Sequence, residues 1–265
     1  MSETQLLADL WQQYIECNPE VKTIHGLFAK NNRVINDHIA LRTIDDPRVD
    51  IEFLAQPFIR RGYCQGGEYH FPVKKLYAKH YQHPDPERPK IFISQLRINE
   101  LSISTSQGIQ SVLNQIPTAL LEQPDKLLLS GVSWVPSYRL YQQLLAESEY
   151  AAWFYAFGFR ANHFTVLVNA LTQFSEISQV NAFLKQHGYL LNASGGEIKG
   201  SPYDLLEQSS TKASSVEVKF TEGVYNIPGC YYEFAKRYPD SSGQLYQGFV
   251  AASADKIFES TDVKG

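Results

Sequence analysis

The sequence predicts an α+β fold in which a β-α-β-β-β unit occurs twice and forms one curved sheet, with helices added to it. Two observations predict this fold. A strand that begins at a histidine precedes a helix with a Phe-Leu pair ending at Gly-Tyr, first after His38 and again after His163. In both places the glycine follows the histidine by about 25 residues. A shared order and spacing is typical of duplication, so we expect pseudo-repeats at residues 36–98 and 160–237.

The first elements alternate between helix and strand. Ser2 and Gln5 form a capping-box pattern, and apolar residues then recur at helical spacing up to Ile15. The elements predicted after this helix are a second helix at 19–30, the strand HIALRT at 38–43, a helix at 49–61 that stops at Gly62, and strand-like residues at 69–81 and 90–98.

The later elements complete the second unit. A helical insertion is predicted at residues 100–156, and it is followed by a strand at 162–170 and a helix at 177–187 that stops at Gly188. The remainder is rich in strands, with VEVKF and GCYYEFAKRY as the strongest runs, broken by the Gly/Ser-rich stretches SGGEIKGSP and QSSTKASS. We expect residues 1–265 to form a single catalytic domain.

Composition excludes several classes of protein. The 265 residues are 43% hydrophobic with a formal net charge of −4, and no stripe of Lys and Arg interleaved with aromatics indicates nucleic-acid binding. The three cysteines include no CxxC pair, which argues against a disulfide framework or a zinc ribbon. No signal peptide or membrane-spanning run is present, so we expect no membrane partner and a cytoplasmic location. No GxGxxG, P-loop, GxSxG or HExxH motif occurs.

One strand places two polar side chains where a core would be expected. In NDHIALRT, His38, Ala40 and Arg42 alternate and so project from one face. In a duplicated fold His163 begins the equivalent strand, so both histidines would face one cavity. Glu233, in CYYEFAKRY, is the best acidic residue to join them, because a carboxylate on an apolar strand requires a partner or a metal.

Two imidazoles and one carboxylate form the facial triad that suits non-haem Fe(II), and the same set binds catalytic zinc. The residues alone leave both metals open, together with a structural role for each histidine. Of the remaining histidines, His70, His80 and His83 lie near a polar turn and are predicted to be solvated, whereas His25 and His187 lie near helix ends, where capping explains them.

Arg42 follows His38 by four residues on the same face of a strand, which places their Cα atoms about 13 Å apart. A guanidinium at this distance is able to hold the far carboxylate of a dicarboxylic substrate whose near end binds the metal. Arg42 is therefore the candidate catalytic and substrate-binding residue.

The chain resembles the 2-oxoadipate dioxygenase/decarboxylase family, also called 2-hydroxyglutarate synthase, from about residue 30 to 261. The motifs that carry the resemblance are DHIALRT, KIFISQLRINELS, EYAAWFYAFGFRANHFTVLVN, QSSTKASSVEVKF, IPGCYYEFAKRYP and GFVAASADKIFEST. The resemblance implies a vicinal-oxygen-chelate-like core with metal ligands His38, His163 and Glu233 and substrate-binding Arg42. The chain is shorter than the bacterial type of the family, so the loops that define substrate length differ.

The activity implied by the resemblance is Fe(II)-dependent conversion of 2-oxoadipate and O₂ to D-2-hydroxyglutarate and CO₂ in lysine catabolism. Further residues from the motifs that are candidates for seating carboxylates are Ser209, Ser210, Thr211 and Lys219. Two alternatives remain at this point. One is a zinc-dependent hydrolase or lyase that uses the same His/His/Glu site, and the other is a non-enzymatic protein that binds small molecules. For the purified protein, zinc or another divalent metal is open beside Fe(II). The sequence does not give the oligomeric state.

Overall fold

The structure is a computed structural model that describes residues 1–30 and 33–251. Residues 252–261 of the last family motif lie outside the described part. The α-helices are α1 (Glu3–Cys17), α2 (Pro19–Ala29), α3 (Ile51–Ile59), α4 (Ile103–Leu113), α5 (Thr118–Leu121), α6 (Pro124–Leu128), α7 (Tyr138–Glu147), α8 (Glu149–Phe157) and α9 (Ile177–Gln186). The strands are β1 (Asn36–Ile44), β2 (Cys64–Phe71), β3 (Leu76–Gln82), β4 (Lys90–Leu96), β5 (Ala161–Leu167), β6 (Lys199–Ser201), β7 (Leu206–Ser210), β8 (Ser215–Phe220), β9 (Gly223–Pro228) and β10 (Glu233–Arg237).

Eight strands form one curled sheet in the order β2-β3-β4-β1-β5-β10-β7-β6. Strands β1 and β5 are antiparallel neighbours at its centre. On one side β1 pairs in parallel with β4, and on the other β5 pairs in parallel with β10. Each half therefore has the same β-α-β-β-β connectivity, with its first and last strands adjacent. The duplicated α+β fold predicted from the sequence is confirmed.

The repeated Gly-Tyr pairs end equivalent helices. After α3, Gly62 has a φ of 93°, and after α9, Gly188 has a φ of 84°. The amide of the following tyrosine donates to a carbonyl five residues back in both cases, Tyr63 to Phe58 and Tyr189 to Leu184. This is the Schellman arrangement, which favours glycine in the left-handed conformation. The repeated Gly-Tyr pair in the sequence therefore corresponds to the same helix-ending turn in both halves.

Helices cover one side of the curled sheet and join its halves. Helix α3 packs on β3 and β4, α9 packs on β7 and β10, and α1 packs on β5. Helices α4 to α8 connect β4 to β5, in the part of the chain predicted to be a helical insertion. Residues 150–157 of α8 are all buried, and the Tyr150 hydroxyl donates to the Ser94 carbonyl at 2.7 Å. This helix is therefore part of the core beside β1 and β4.

Of three local predictions, two differ from the structure and the third, that VEVKF is a strand, is confirmed. The strand-like residues 69–81 are a hairpin, β2 and β3, whose turn includes Lys75 at a φ of 57°. The predicted breaks SGGEIKGSP and QSSTKASS instead contribute β6 and β7, because the pairing of β7 with β10 and of β6 with β7 outweighs the low strand propensity of Gly and Ser. The run VEVKF forms β8, which pairs with β9 in a separate two-stranded sheet.

Within the described ranges 1–30 and 33–251, every helix is too short or too polar to cross a lipid bilayer.

Candidate metal centre

The two histidines occupy the same place in the two halves of the sheet. His38 is the third residue of β1 and His163 is the third residue of β5. The antiparallel register pairs His163 with Ala40 and His38 with Thr165. The two residues are 3% and 4% exposed, and their ring centroids lie 5.5 Å apart. The central strand pair therefore brings both imidazoles to one buried place.

Glu233 completes this group from the first position of β10, where it pairs with Thr165 of β5. Its side chain is fully buried. Its Oε1 lies 3.5 Å from His38 Nε2, and its Oε2 lies 3.1 Å from His163 Nε2. One ligand atom from each residue lies within 4.8 Å of the others, which is a spacing that can hold a metal ion. The three side chains predicted as ligands are thus adjacent.

Each histidine is oriented by the residue that precedes it. His38 Nδ1 lies 2.9 Å from Asp37 Oδ1, and His163 Nδ1 lies 2.9 Å from Asn162 Oδ1. A proton on each Nδ1 satisfies these oxygens and leaves the Nε2 lone pairs directed at Glu233. Partners of this kind fix the tautomer and the ring orientation of histidines that ligate metals.

The protonation states suit a divalent cation. Burial lowers the pKa of His38, and burial with the nearby charges of His38 and Arg42 lowers the pKa of His163 well below its ordinary value. Burial raises the pKa of Glu233 to about 8. Both imidazoles are therefore neutral at neutral pH, and the ionised carboxylate lacks a sufficient counter-charge. A bound cation supplies that charge, so the donor set fits a metal with nitrogen and oxygen ligands.

Arg42 projects from the same face of β1 as His38. Its side chain is buried, and its Nη1 lies 3.7 Å from Glu149 Oε1. Its guanidinium lies 4.8 Å from the ring centre of Tyr150 and 4.9 Å from that of Trp153. These two aromatic rings of α8 hold the Arg42 guanidinium in a fixed orientation. Arg42 lines a cavity of about 230 Å³ beside the β2–β3 turn and the start of α8.

Comparison with known proteins identifies the family. The model of the 2-oxoadipate dioxygenase/decarboxylase family matches residues 2–240. The chain belongs to this family. A chloroplastic 2-oxoadipate dioxygenase/decarboxylase from Arabidopsis thaliana is 34% identical over 283 residues, covering 97% of this chain and 76% of that protein. The resemblance in the motifs is thereby confirmed, and the non-enzymatic alternative loses its support.

Solved structures place this member of the 2-oxoadipate dioxygenase/decarboxylase family among related folds. Hydroxyglutarate synthase from Oryza sativa in complex with 2-oxoadipate has a TM-score of 0.91 at 33% identity, covering 98% of this chain and 92% of that one. A protein from Shewanella frigidimarina, provisionally described as a hydrolase, has a TM-score of 0.90 at 51% identity and covers 94% and 98%. A glyoxalase superfamily protein from Ralstonia eutropha, at 22% identity and a TM-score of 0.74, shares the fold.

The predicted carboxylate-seating residues of this family member lie in different environments. Ser210 of β7 is buried and pairs directly with Glu233. Ser209 donates its hydroxyl to Asn181 Oδ1 of α9 at 2.7 Å, and Thr211 Oγ1 accepts from the Tyr232 amide at 3.0 Å. Lys219 is exposed on β8, outside the eight-stranded sheet. The structure thus brings Ser210 to the triad, holds Ser209 and Thr211 in other hydrogen bonds, and places Lys219 on another sheet.

Sequence reasoning missed the residues that support the triad. Gln208, the first residue of the motif QSSTKASSVEVKF, donates a hydrogen bond to Glu233 Oε1 at 2.5 Å. Arg237 forms a forked ion pair with Asp37, at 2.6 Å from Nε and 2.8 Å from Nη2. Burial alone would raise the pKa of Asp37, but Arg237 and His38 hold it well below its usual range. Asp37 precedes His38 in the motif DHIALRT, and that adjacency is the one signal that pointed to it.

Arg237 also fastens the segment of residues 238–251, here called the C-terminal strap. Its Nη1 donates to the carbonyls of Tyr246 and Gly248, at 2.8 Å each. The ring of Phe249 in this strap meets the His38 imidazole edge-on at 4.8 Å. The strap therefore covers one side of the triad.

The prediction that His80 is solvated is wrong. This residue is 2% exposed, its Nδ1 lies 2.9 Å from the Tyr69 hydroxyl, and its ring packs on Phe249. Strand β3 explains the error, because His80 shares a face with buried Leu76 and Ala78. The alternation was present in the sequence, but the neighbouring proline-rich turn obscured it.

Proposed function

We propose that this protein is an Fe(II)-dependent enzyme that converts 2-oxoadipate and O₂ to D-2-hydroxyglutarate and CO₂. The observation that carries the proposal is the buried His38, His163 and Glu233 group in a chain that belongs to the 2-oxoadipate dioxygenase/decarboxylase family. A relative of 33% identity binds 2-oxoadipate in its crystal structure. The atoms balance, since the six-carbon acid loses one carbon as CO₂ and the product and CO₂ together retain both oxygen atoms.

The three side chains have one common task, which is to hold the metal. His38 and His163 present unprotonated Nε2 atoms, and Glu233 contributes the negative charge. Fe(II) held by these three side chains would supply binding positions for a chelating 2-oxo acid and for O₂. Asp37, Asn162 and Gln208 keep the ligands in place through hydrogen bonds. These hydrogen bonds preorganise the site, so the ligand side chains need little rearrangement when the substrate binds.

Arg42 binds the distal carboxylate of the substrate. Its guanidinium is fixed between Glu149 and the rings of Tyr150 and Trp153, so a carboxylate reaching it meets an oriented fork. Ser210, next to Glu233 in the sheet, is the most suitably placed of the four further candidates to contact the near end of the substrate. The other three candidates for seating substrate carboxylates have less support from their positions, and they are Ser209, Thr211 and Lys219.

A zinc hydrolase or lyase is the rival function. The same three ligands bind zinc, and the Shewanella frigidimarina relative carries a provisional hydrolase description. Zinc in such a site would activate water and would not consume O₂.

The deciding experiment measures metal content and oxygen consumption together. Protein purified without oxygen should contain or accept one Fe(II), and 2-oxoadipate should then elicit equimolar O₂ uptake and CO₂ release. His163→Ala is the matched control, and it should lose both the metal and turnover. Stoichiometric zinc with no O₂ uptake after Fe(II) loading would contradict the proposal. A single catalytic domain over residues 1–265 and a cytoplasmic location remain predictions, which limited proteolysis and cell fractionation test.

A further inference from the structure

A tyrosine beside the triad has a fixed ring. Tyr231 precedes β10, two residues before Glu233, and is fully buried. Its ring stacks on the His163 imidazole at a centroid distance of 4.6 Å and an interplanar angle of 27°. Its backbone carbonyl accepts a hydrogen bond from the Tyr14 hydroxyl of α1. The side chain is thus held from both ends against a predicted metal ligand.

The hydroxyl of this tyrosine is unusual because it has no hydrogen-bond partner among the residues that the structure describes. Neighbouring buried tyrosines are satisfied. The Tyr232 hydroxyl lies 3.1 Å from His25 Nδ1, and the Tyr150 hydroxyl donates to Ser94. Proteins rarely leave a buried hydroxyl unpaired, since the group has lost its water and gained nothing in return. Such an atom in a ligand site indicates that the ligand is its partner.

The position of Tyr231 identifies the kind of partner. A phenol hydroxyl is a hydrogen-bond donor, and this one belongs to a ring that stacks on His163, two residues before Glu233 in the chain. The carboxylate and keto oxygens of a 2-oxo acid bound at the triad are acceptors for such a donor.

We propose that Tyr231 is a substrate-binding residue whose hydroxyl donates a hydrogen bond to an oxygen of the bound 2-oxo dicarboxylic acid. This inference rests on the proposed function, because it requires that acid to be the ligand. Stacking on His163 fixes the donor relative to the metal site, so the bond selects substrates with an oxygen at that place.

The test compares Tyr231→Phe with the wild type under anaerobic conditions, where binding occurs without turnover. Calorimetry measures the Kd of 2-oxoadipate for the Fe(II)-loaded protein, and thermal unfolding measures stability. We expect Kd to rise about 10- to 100-fold, because a hydrogen bond to a charged group is lost. We expect the melting temperature to be unchanged or higher, because an unpaired buried hydroxyl is removed.

Two other tyrosines provide matched controls. The Tyr81 hydroxyl is also buried without a partner in the described residues, but it lies on β3 near the charges of Glu52 and Asp50. Tyr81→Phe should leave both Kd and bound metal unchanged. Tyr232→Phe breaks the hydrogen bond to His25 and should lower the melting temperature while Kd stays the same.

The outcomes separate this inference from the function on which it rests. Equal affinity of Tyr231→Phe and wild type for 2-oxoadipate would overturn the inference alone. Loss of the metal from Tyr231→Phe would also overturn it, since the role would then be to position His163. Failure of the loaded wild type to bind 2-oxoadipate would overturn the proposed function and the inference together.

Discussion

The orientation and basicity of each histidine ligand depend on the residue that precedes it. Asp37 and Asn162 each precede a histidine and hold its Nδ1 at 2.9 Å, although one is an acid and the other an amide. The acid makes the His38 imidazole the more basic of the two, because a carboxylate stabilises a proton on the ring. The two halves of the site are therefore alike in geometry and unequal in charge.

Glu233 sets the pH dependence of metal binding. Burial raises the pKa of Glu233 to about 8 in the metal-free protein, so a metal must displace its proton below that pH. The lowered pKa values of His38 and His163 leave these rings unprotonated in the same range. We expect metal affinity to fall about tenfold for each pH unit below 8 and to level off above it. Competition with a chelator between pH 6.5 and 8.5 measures this slope, and a flat profile would contradict the prediction.

Arg42 is the residue at which substrate preference is tested. Arg42→Leu should retain iron but lose the preference for dicarboxylic over monocarboxylic 2-oxo acids. We expect kcat/KM for 2-oxoadipate to fall about 10- to 100-fold, because a charge-assisted hydrogen bond is worth roughly 1.5–3 kcal/mol. Oxygen uptake with paired substrates measures the preference. Arg139→Leu, on α7 outside the site, is the control. An unchanged preference in Arg42→Leu would show that the distal carboxylate binds elsewhere.

At this scale the sequence indicated the ligands better than their supports. His38, Arg42 and Glu233 were visible because polar residues interrupted short apolar strands. Arg237 was not, because its partner Asp37 lies 200 residues away and no local pattern encodes such a pair. Tyr231 was missed for a different reason, because an apolar neighbourhood is the ordinary place for an aromatic ring.

At the scale of elements, the C-terminal strap depends on Arg237. Arg237→Lys keeps the charge but loses the fork to Asp37 and the bonds to the Tyr246 and Gly248 carbonyls. We expect the free energy of unfolding to fall by about 1–3 kcal/mol and proteolytic cleavage of the strap to accelerate. Denaturant titration and limited proteolysis measure these effects. Arg33→Lys alters the exposed forked pair with Glu87 and should change neither result.

Elements with strong local signals were predicted, and those made by their partners were not. Helix α3 has an N-cap, an apolar face and a glycine stop, all readable from nearby residues. Strands β6 and β7 consist largely of Gly, Ser and polar residues, and they form because β7 pairs with the edge of β10 and β6 pairs in turn with β7. Small side chains are needed there, since Ser209 and Ser210 lie fully buried under α9 and beside Glu233.

At the scale of the molecule, a metal ion bound at the triad would join the two halves of the sheet. His38 belongs to the first unit, whereas His163 and Glu233 belong to the second, so an ion bound by all three bridges β1 to β5 and β10. At a free metal concentration 100 times Kd, binding adds about 2.7 kcal/mol of stability. For a chain of this size we expect the melting temperature to rise by about 5–10 °C relative to metal-free protein. Differential scanning calorimetry measures the shift, and His38→Ala should show almost none.

The order of the ligands along the chain has a consequence for biosynthesis. A ribosome produces His38 early, His163 about 125 residues later, and Glu233 about 70 residues after that. The pairing of such distant strands is a late event in folding. A nascent chain therefore offers at most the two imidazoles of the triad until Glu233 in β10 has emerged, and it lacks the carboxylate that completes the donor set. Polypeptides truncated before Glu233 should therefore be released from the ribosome without a bound metal ion.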